Sequence, residues 1–171
     1  MKYKFVLGLD PSGNFHEGKG TTGCCLFDAE KNCIIETKSI YANAYNTQHD
    51  YWHAVLMYVM QIAYKYKSLI VVIEDYMLYA TKASAQINSK METPKLIGIL
   101  EYYCQECDIP TVLQPAHMVK NRWDNAVLLH KNYIIQVGRQ LRTPKHKAID
   151  RHATDAIRHA VHYSTFKNKE K

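Results

Sequence analysis

The chain has no run of about 18 apolar residues, so a membrane-spanning helix of ordinary length is excluded. Its opening, MKYKFVLGLDPSG, offers too short an apolar stretch and no small-residue cleavage site for a secretory signal, and the expectation is a cytoplasmic protein. Cysteines are few and odd in number: Cys24, Cys25, Cys33, Cys104 and Cys107. Without an export signal they read as reduced thiols and not as a disulfide framework. The CQEC pair could suggest zinc, but no second C-x-x-C or H-x-H pair is spaced to supply four ligands, so the pair reads as two thiols on the buried side of a helix. Internal repeats and low-complexity blocks are missing too. Acids are in short supply: 16 Asp and Glu face 22 Lys and Arg, a net charge of +6 before any histidine is protonated. Such an excess favours a polyanionic partner. The bases gather in RQLRTPKHK (139–147) and in KNKEK (167–171), the bulk of a stretch over 166–171 that reads as a solvated basic tail.

What is present suits one domain over residues 1–165: 171 residues, 47% of them hydrophobic, can bury a proper core. Residues 3–9, 21–28 and 33–40 carry β-branched or aromatic runs separated by turn formers, and three consecutive strands suggest an antiparallel meander. From His49 to Lys67, Trp52, Val55, Leu56, Val59, Ala63 and Tyr66 recur at helical spacing, and SLIVVIED follows as a deeply buried strand. YATKASAQINSKME is compatible with helix. Thr93 reads as an N-cap with Pro94 at the first helical position, opening an amphipathic helix through Leu96, Ile97, Leu100, Tyr103, Cys104 and Cys107. IPTVLQP reads as a fifth strand, and helices are expected over 124–138 and 148–165. The order β-β-β-α-β-α-β-α-α implies an α/β fold with one five-stranded mixed sheet, a meander plus two parallel strands, flanked by helices.

Two acids occupy comparable places. Asp10 ends the apolar run VLGLD and Glu74 ends LIVVIE, and ligands of open α/β sheets sit off the carboxyl ends of strands. If these strands are neighbours the carboxylates approach each other, and a divalent cation is the natural compensator. In IDRHATDAIRHAVHY, taken at 100° per residue, Ile149, Ala153, Ala156, Ile157 and Ala160 form a core face, with His152, Asp155 and His159 along its border. Seen alone, such a stripe is a set of ordinary polar side chains at the edge of a helix; beside two strand-end acids it can complete a hard, oxygen-rich ligand set suited to magnesium or manganese.

GLDPSG, the following TTG, VVIED and the late HATDA, in that order, resemble the motifs of RuvC-type Holliday-junction resolvases of the ribonuclease-H-like superfamily. The resemblance spans most of the chain. It implies a ribonuclease-H-like fold and a homodimeric, metal-dependent endonuclease that resolves four-way DNA junctions by paired symmetric nicks, leaving 5′-phosphate and 3′-hydroxyl ends. It assigns Asp10, Glu74, His152 and Asp155 to two Mg2+ ions, with Mn2+ able to substitute, and Lys120 to the scissile phosphate. Lys120, Arg122, Arg142, Lys145 and Lys147 are expected on DNA phosphates; Tyr76, Met77 and Tyr79 read either as wedges against exposed bases at the crossover or as core or dimer-interface residues, the dimer interface being expected from Tyr76 through Ile87 to Tyr103. The loop PSGNFHEGKGTTG is longer than the turn of cellular members, and Met77 stands where an aromatic is usual, which suggests a phage-type member. Two other readings stay open. A nuclease of the same superfamily would act on flaps, forks or RNA:DNA hybrids. An actin-like nucleotide-binding protein would explain GLDPSG with TTG, but 171 residues cannot hold two duplicated lobes.

Overall fold

The computed structural model describes residues 1–16, 18–77 and 90–169. A five-stranded sheet has the spatial order β3-β2-β1-β4-β5, built from β1 (Phe5–Asp10), β2 (Thr21–Asp28), β3 (Cys33–Tyr41), β4 (Leu69–Asp75) and β5 (Thr111–Pro115). The first three strands form the antiparallel meander, while β4 and β5 run parallel to β1. The expected mixed α/β sheet is therefore the observed one.

Strand alternation sends successive side chains to opposite faces. On one face Leu7, Leu9, Leu26, Val71 and Ile73 meet α1 (Gln48–Lys65) and α2 (Glu92–Glu106). On the other, Val6, Cys25, Phe27, Ile70 and Val72 meet α5 (Arg151–Phe166) and its neighbours. The short helices α3 (Ala116–Lys120) and α4 (Asn125–His130) belong to this second side, through Val119 and Leu128. Among the described residues no helix is long and apolar enough to cross a membrane.

Several expectations need correcting. The helix expected over 124–138 is α4 alone: Asn132, at φ 58°, stops it, and the chain turns into a hairpin of β6 (Ile135–Val137) and β7 (Gln140–Arg142). Asparagine tolerates the left-handed conformation that ends helices, and Gly138, at φ 61°, supplies the tight hairpin turn. Thr93 is not an N-cap, because α2 starts at Glu92 after Met91; its hydroxyl instead accepts from the Gly13 N–H at 3.0 Å. Ile149 precedes α5, whose N-cap is Asp150, accepting from the Ala153 N–H at 2.8 Å. Of the CQEC thiols only Cys104 is buried; Cys107 is exposed just past the helix end. All five cysteines are free. The tail is not simply solvated either: α5 extends to Phe166, and buried Asn168 bonds both the backbone N–H and the carbonyl of Tyr3. The helix expected from YATKASAQINSKME lies almost wholly outside the described residues.

Candidate metal centre

Period-two alternation explains why the strand-end acids share a face. Val6, Gly8 and Asp10 alternate toward α5, as do Ile70, Val72 and Glu74. Leu9 pairs with Ile73 across the parallel ladder, so Asp10 and Glu74 lie side by side one residue further on. Gly23 pairs with Asp10, and Gln114 pairs with Glu74. A single row thus crosses four strands: Gly23, Asp10, Glu74, Gln114.

Helix α5 lies along that row. Seven helical residues rise about 10.5 Å, close to two inter-strand spacings of about 4.8 Å each. Hence His152 reaches Asp10 while His159, farther along the same stripe, reaches Glu74 and Gln114. The helix comes this close because two glycines lie beneath it. A Cβ at Gly8 would stand 2.3 Å from the Ala156 carbonyl oxygen, and one at Gly23 would stand 2.1 Å from the His152 backbone.

The convergent ligand set is Asp10, Glu74 and Asp155, each offering an oxygen within 4.8 Å of the others. All three are shielded: Asp10 and Asp155 are buried and Glu74 nearly so. Positive groups surround them. Lys120 Nζ lies 3.0 Å from Glu74 and 3.0 Å from Asp155. His152 Nδ1 lies 2.7 Å from Asp10 Oδ2. His159 Nε2 lies 3.0 Å from Glu74 Oε2, and its Nδ1 2.8 Å from Gln114 Oε1. Arg158 bonds the other oxygen of Asp155, the Trp123 carbonyl and Asn125.

The electrostatics follow from these contacts. Burial pushes the Asp10 carboxyl above the usual aspartate range; the His152 hydrogen bond opposes the rise and the charge of Glu74 adds to it. Burial would also raise Glu74, but His159 and Lys120 outweigh it and hold it below the glutamate range. Burial would lower Lys120, yet the charges and hydrogen bonds of Glu74 and Asp155 leave it raised. The Asp10 hydrogen bond raises His152 against the opposing effect of burial. Three shielded carboxylates with oxygen-only donors fit a hard divalent cation, and their crowding supplies the charge such an ion would neutralise.

Four of the sequence-assigned catalytic residues meet directly: Asp10, Glu74, Asp155 and Lys120. His152 joins them through Asp10. The expected phosphate contacts scatter. Arg122 stacks over Phe166, 4.2 Å from the ring centroid; this is the far end of α5, about 16 Å of helix from Asp155. Arg142 bonds the His146 carbonyl and Gln140, and Lys147 bonds the Thr37 carbonyl at the β3 edge. Lys145 is exposed on the same loop. Tyr76 packs against the α1 side of the core and Met77 is exposed, while Tyr79 lies outside the described residues.

Sequence reasoning missed two participants. His159 was placed on a helix border, but it is fully buried because β5 brings Gln114 to meet it. Arg158 was not assigned, although its i+3 spacing from Asp155 is the signal of a helical ion pair.

No protein-family model and no curated protein matches the chain. Solved structures do. The structure of T. thermophilus RuvC in complex with Holliday junction substrate is 14% identical, with a TM-score of 0.66 over 97% of this chain and 98% of that one. A Thermus thermophilus RuvC structure is 12% identical, with a TM-score of 0.67 over 95% and 94%. At this identity the likeness concerns architecture, and it extends over nearly the whole of both chains: the fold is that of RuvC, a ribonuclease-H-like α/β fold.

Proposed function

We propose that this protein is a divalent-metal-dependent endonuclease that resolves four-way DNA junctions by paired symmetric nicks. The carrying observation is the convergence of Asp10, Glu74 and Asp155 within 4.8 Å, in a fold shared with a RuvC structure in complex with a Holliday junction substrate. The net charge of +6 agrees with a polyanionic substrate.

In this reading Asp10, Glu74 and Asp155 hold two magnesium ions, or manganese in their place, with His152 as a further ligand or as the group that orients Asp10. Bound there, the metal would activate water and offset the charge developing on the phosphate, giving 5′-phosphate and 3′-hydroxyl ends. The remaining work belongs to side chains. Lys120 Nζ, at the mouth between Glu74 and Asp155, is placed to donate to a phosphate oxygen. His159 fixes Glu74, and Arg158 fixes Asp155. None of these groups is needed as a covalent nucleophile.

A junction has two-fold symmetry, so the single acidic cluster among the described residues implies a C2 dimer. The exposed Tyr102 and Tyr103 on α2 support the proposed interface, which begins at Tyr76; its middle part lies outside the described residues. The ten residues between β1 and β2 support a phage-type member and a cutting preference of its own.

A substrate panel tests the proposal. Synthetic four-way junctions, flaps, forks, RNA:DNA hybrids and duplexes are incubated with magnesium, manganese or a chelator, and the nicks are mapped. Paired symmetric nicks in junctions, lost in chelator, are expected. Preferential cutting of flaps or hybrids would move the protein to another activity of the same site, and metal-independent cutting would remove the site altogether. Sedimentation of the junction complex checks the dimer: one chain per junction with paired nicks overturns it.

A further inference from the structure

Arg151, Thr154 and Arg158 form a second stripe on α5, each one residue before a member of the His152, Asp155, His159 stripe. At 100° per residue the two stripes are adjacent faces of one helix. The β6–β7 hairpin folds back over the arginine face and leaves a groove of about 520 Å³, lined by Arg139, Arg151, Arg158, Gln140, Asn125 and Thr154. Arg139 and Arg151 are exposed, and neither has a hydrogen-bond or ion-pair partner among the described residues. Arg158 adds positive charge to the groove while bonded to Asp155 and Asn125.

One acid, Asp150, also lines the groove, but its oxygens are occupied. It caps α5 through the Ala153 N–H and accepts from the Tyr41 hydroxyl at 2.8 Å. Within the basic stretch 139–147, Arg142 and Lys147 are already engaged, bonding carbonyls of the protein itself. Unpartnered guanidinium groups lie instead on the hairpin and at the start of α5, with Arg151 about one turn, roughly 6 Å, from Asp155.

We infer that this groove binds the phosphodiester backbone of a DNA strand running beside the carboxylate cluster, with Arg139 and Arg151 as its phosphate contacts. The inference rests on the endonuclease reading and names where that substrate lies. Guanidinium forks suit phosphate oxygens, and backbone contacts of this kind fix register without reading sequence. The hairpin then serves as a rail that aligns one strand with the acids.

The test is junction binding in chelator over a range of salt concentrations, for the wild type, for Arg139→Ala with Arg151→Ala, and for a control pair. Lys31→Ala with Lys65→Ala removes the same charge from exposed positions in the β2–β3 turn and at the end of α1. The groove pair is expected to lower affinity at least about tenfold and to reduce the log–log salt slope by about 1.8, since each phosphate contact accounts for about 0.9. The control pair should leave that slope nearly unchanged. Circular dichroism confirms that all variants fold. Equal losses in the two pairs, or an unchanged slope for the groove pair in a wild type that binds, overturn the groove and leave the endonuclease reading standing. A wild type that binds no junction overturns both.

Discussion

His152 and His159 stand seven residues apart on one stripe of α5, and each bonds a strand-end carboxylate, but only one faces solvent. The His152 side chain is 35% exposed and uses only Nδ1, on Asp10; that of His159 is 0% exposed and uses both ring nitrogens, on Glu74 and Gln114. A ring with a spare nitrogen and open access can exchange its contacts when a cation or a phosphate arrives. A ring sealed between two fixed partners can only hold them in place. The acidic cluster therefore has an adaptable side at Asp10 and a rigid side at Glu74.

The largest effect expected removes the carboxylates under both rings. Asp10→Asn and Glu74→Gln should each lower cleavage by about a thousandfold or more, because several kcal/mol of transition-state charge stabilisation is lost and each 1.36 kcal/mol is about tenfold. Junction binding should persist, since removing negative charge does not weaken contact with a polyanion. Gel-based cleavage and binding assays on one junction read both quantities, and near-normal turnover in either variant would dissolve the comparison along with the site.

The histidines themselves sharpen it. His159→Ala should reduce cleavage by about ten- to a hundredfold and should also destabilise the metal-free protein by about 1–3 kcal/mol, because Glu74 loses a partner in a shielded place. His159→Gln, which keeps a donor, should recover part of both. His152→Ala should lose most activity with little change in stability, while His152→Asp should retain activity by keeping a ligand at the open side. Chemical denaturation without metal, set beside manganese titration by calorimetry, separates the two residues; the same stability loss at both positions would erase the distinction.

A smaller effect concerns the loop that leaves Asp10. Tyr51 donates to the Ser12 carbonyl at 2.6 Å and lies 3.0 Å from Thr22 Oγ1, an anchor on the adaptable side. Burial pushes its hydroxyl from 10 up to about 12, against a lowering by Thr22. Below pH 10 the residue is neutral in both folded and unfolded chains, so its full contribution is present. Between pH 10 and about 12 the unfolded chain loses the proton while the folded one keeps it, and stability falls as pH rises, by on the order of 2 kcal/mol. Tyr51→Phe should cost about 1 kcal/mol at neutral pH and show a flatter loss across that window. Parallel pH profiles for the two proteins would clear Tyr51 of the effect.

The sheet was legible because its signals are local. Four of the five strands of the sheet end on an acid or a proline, at Asp10, Asp28, Asp75 and Pro115, and the run lengths match the observed strands to within a few residues. Asp10, Glu74, Asp155 and Lys120 could be assigned together because the strand-end acids and the late helix recur in a known order. The hairpin was not legible: Ile134, Ile135 and Val137 continue the spacing of α4 closely enough to extend it, and the stop depends on Asn132 taking a left-handed conformation. His159 was misplaced for a different reason. A helical wheel records angle alone, whereas burial there is set by β5, a strand from elsewhere in the chain. Charge density marks the stretch 139–147, but density does not show which of its cations the protein has already used, as it has Arg142 and Lys147.

Gly8 and Gly23 bear on how this site tolerates change. Where a helix rests on side chains, each core substitution alters its height, and the groups it carries drift with every repacking. Here the stop is main chain against main chain at two adjacent points, so α5 is seated as a gauge block is seated on a flat plate. Neighbouring core residues can vary in size without altering the gap between the aspartate of the first strand and the aspartate of the last helix. A single added methyl at either glycine would set a new gap for the whole carboxylate cluster at once.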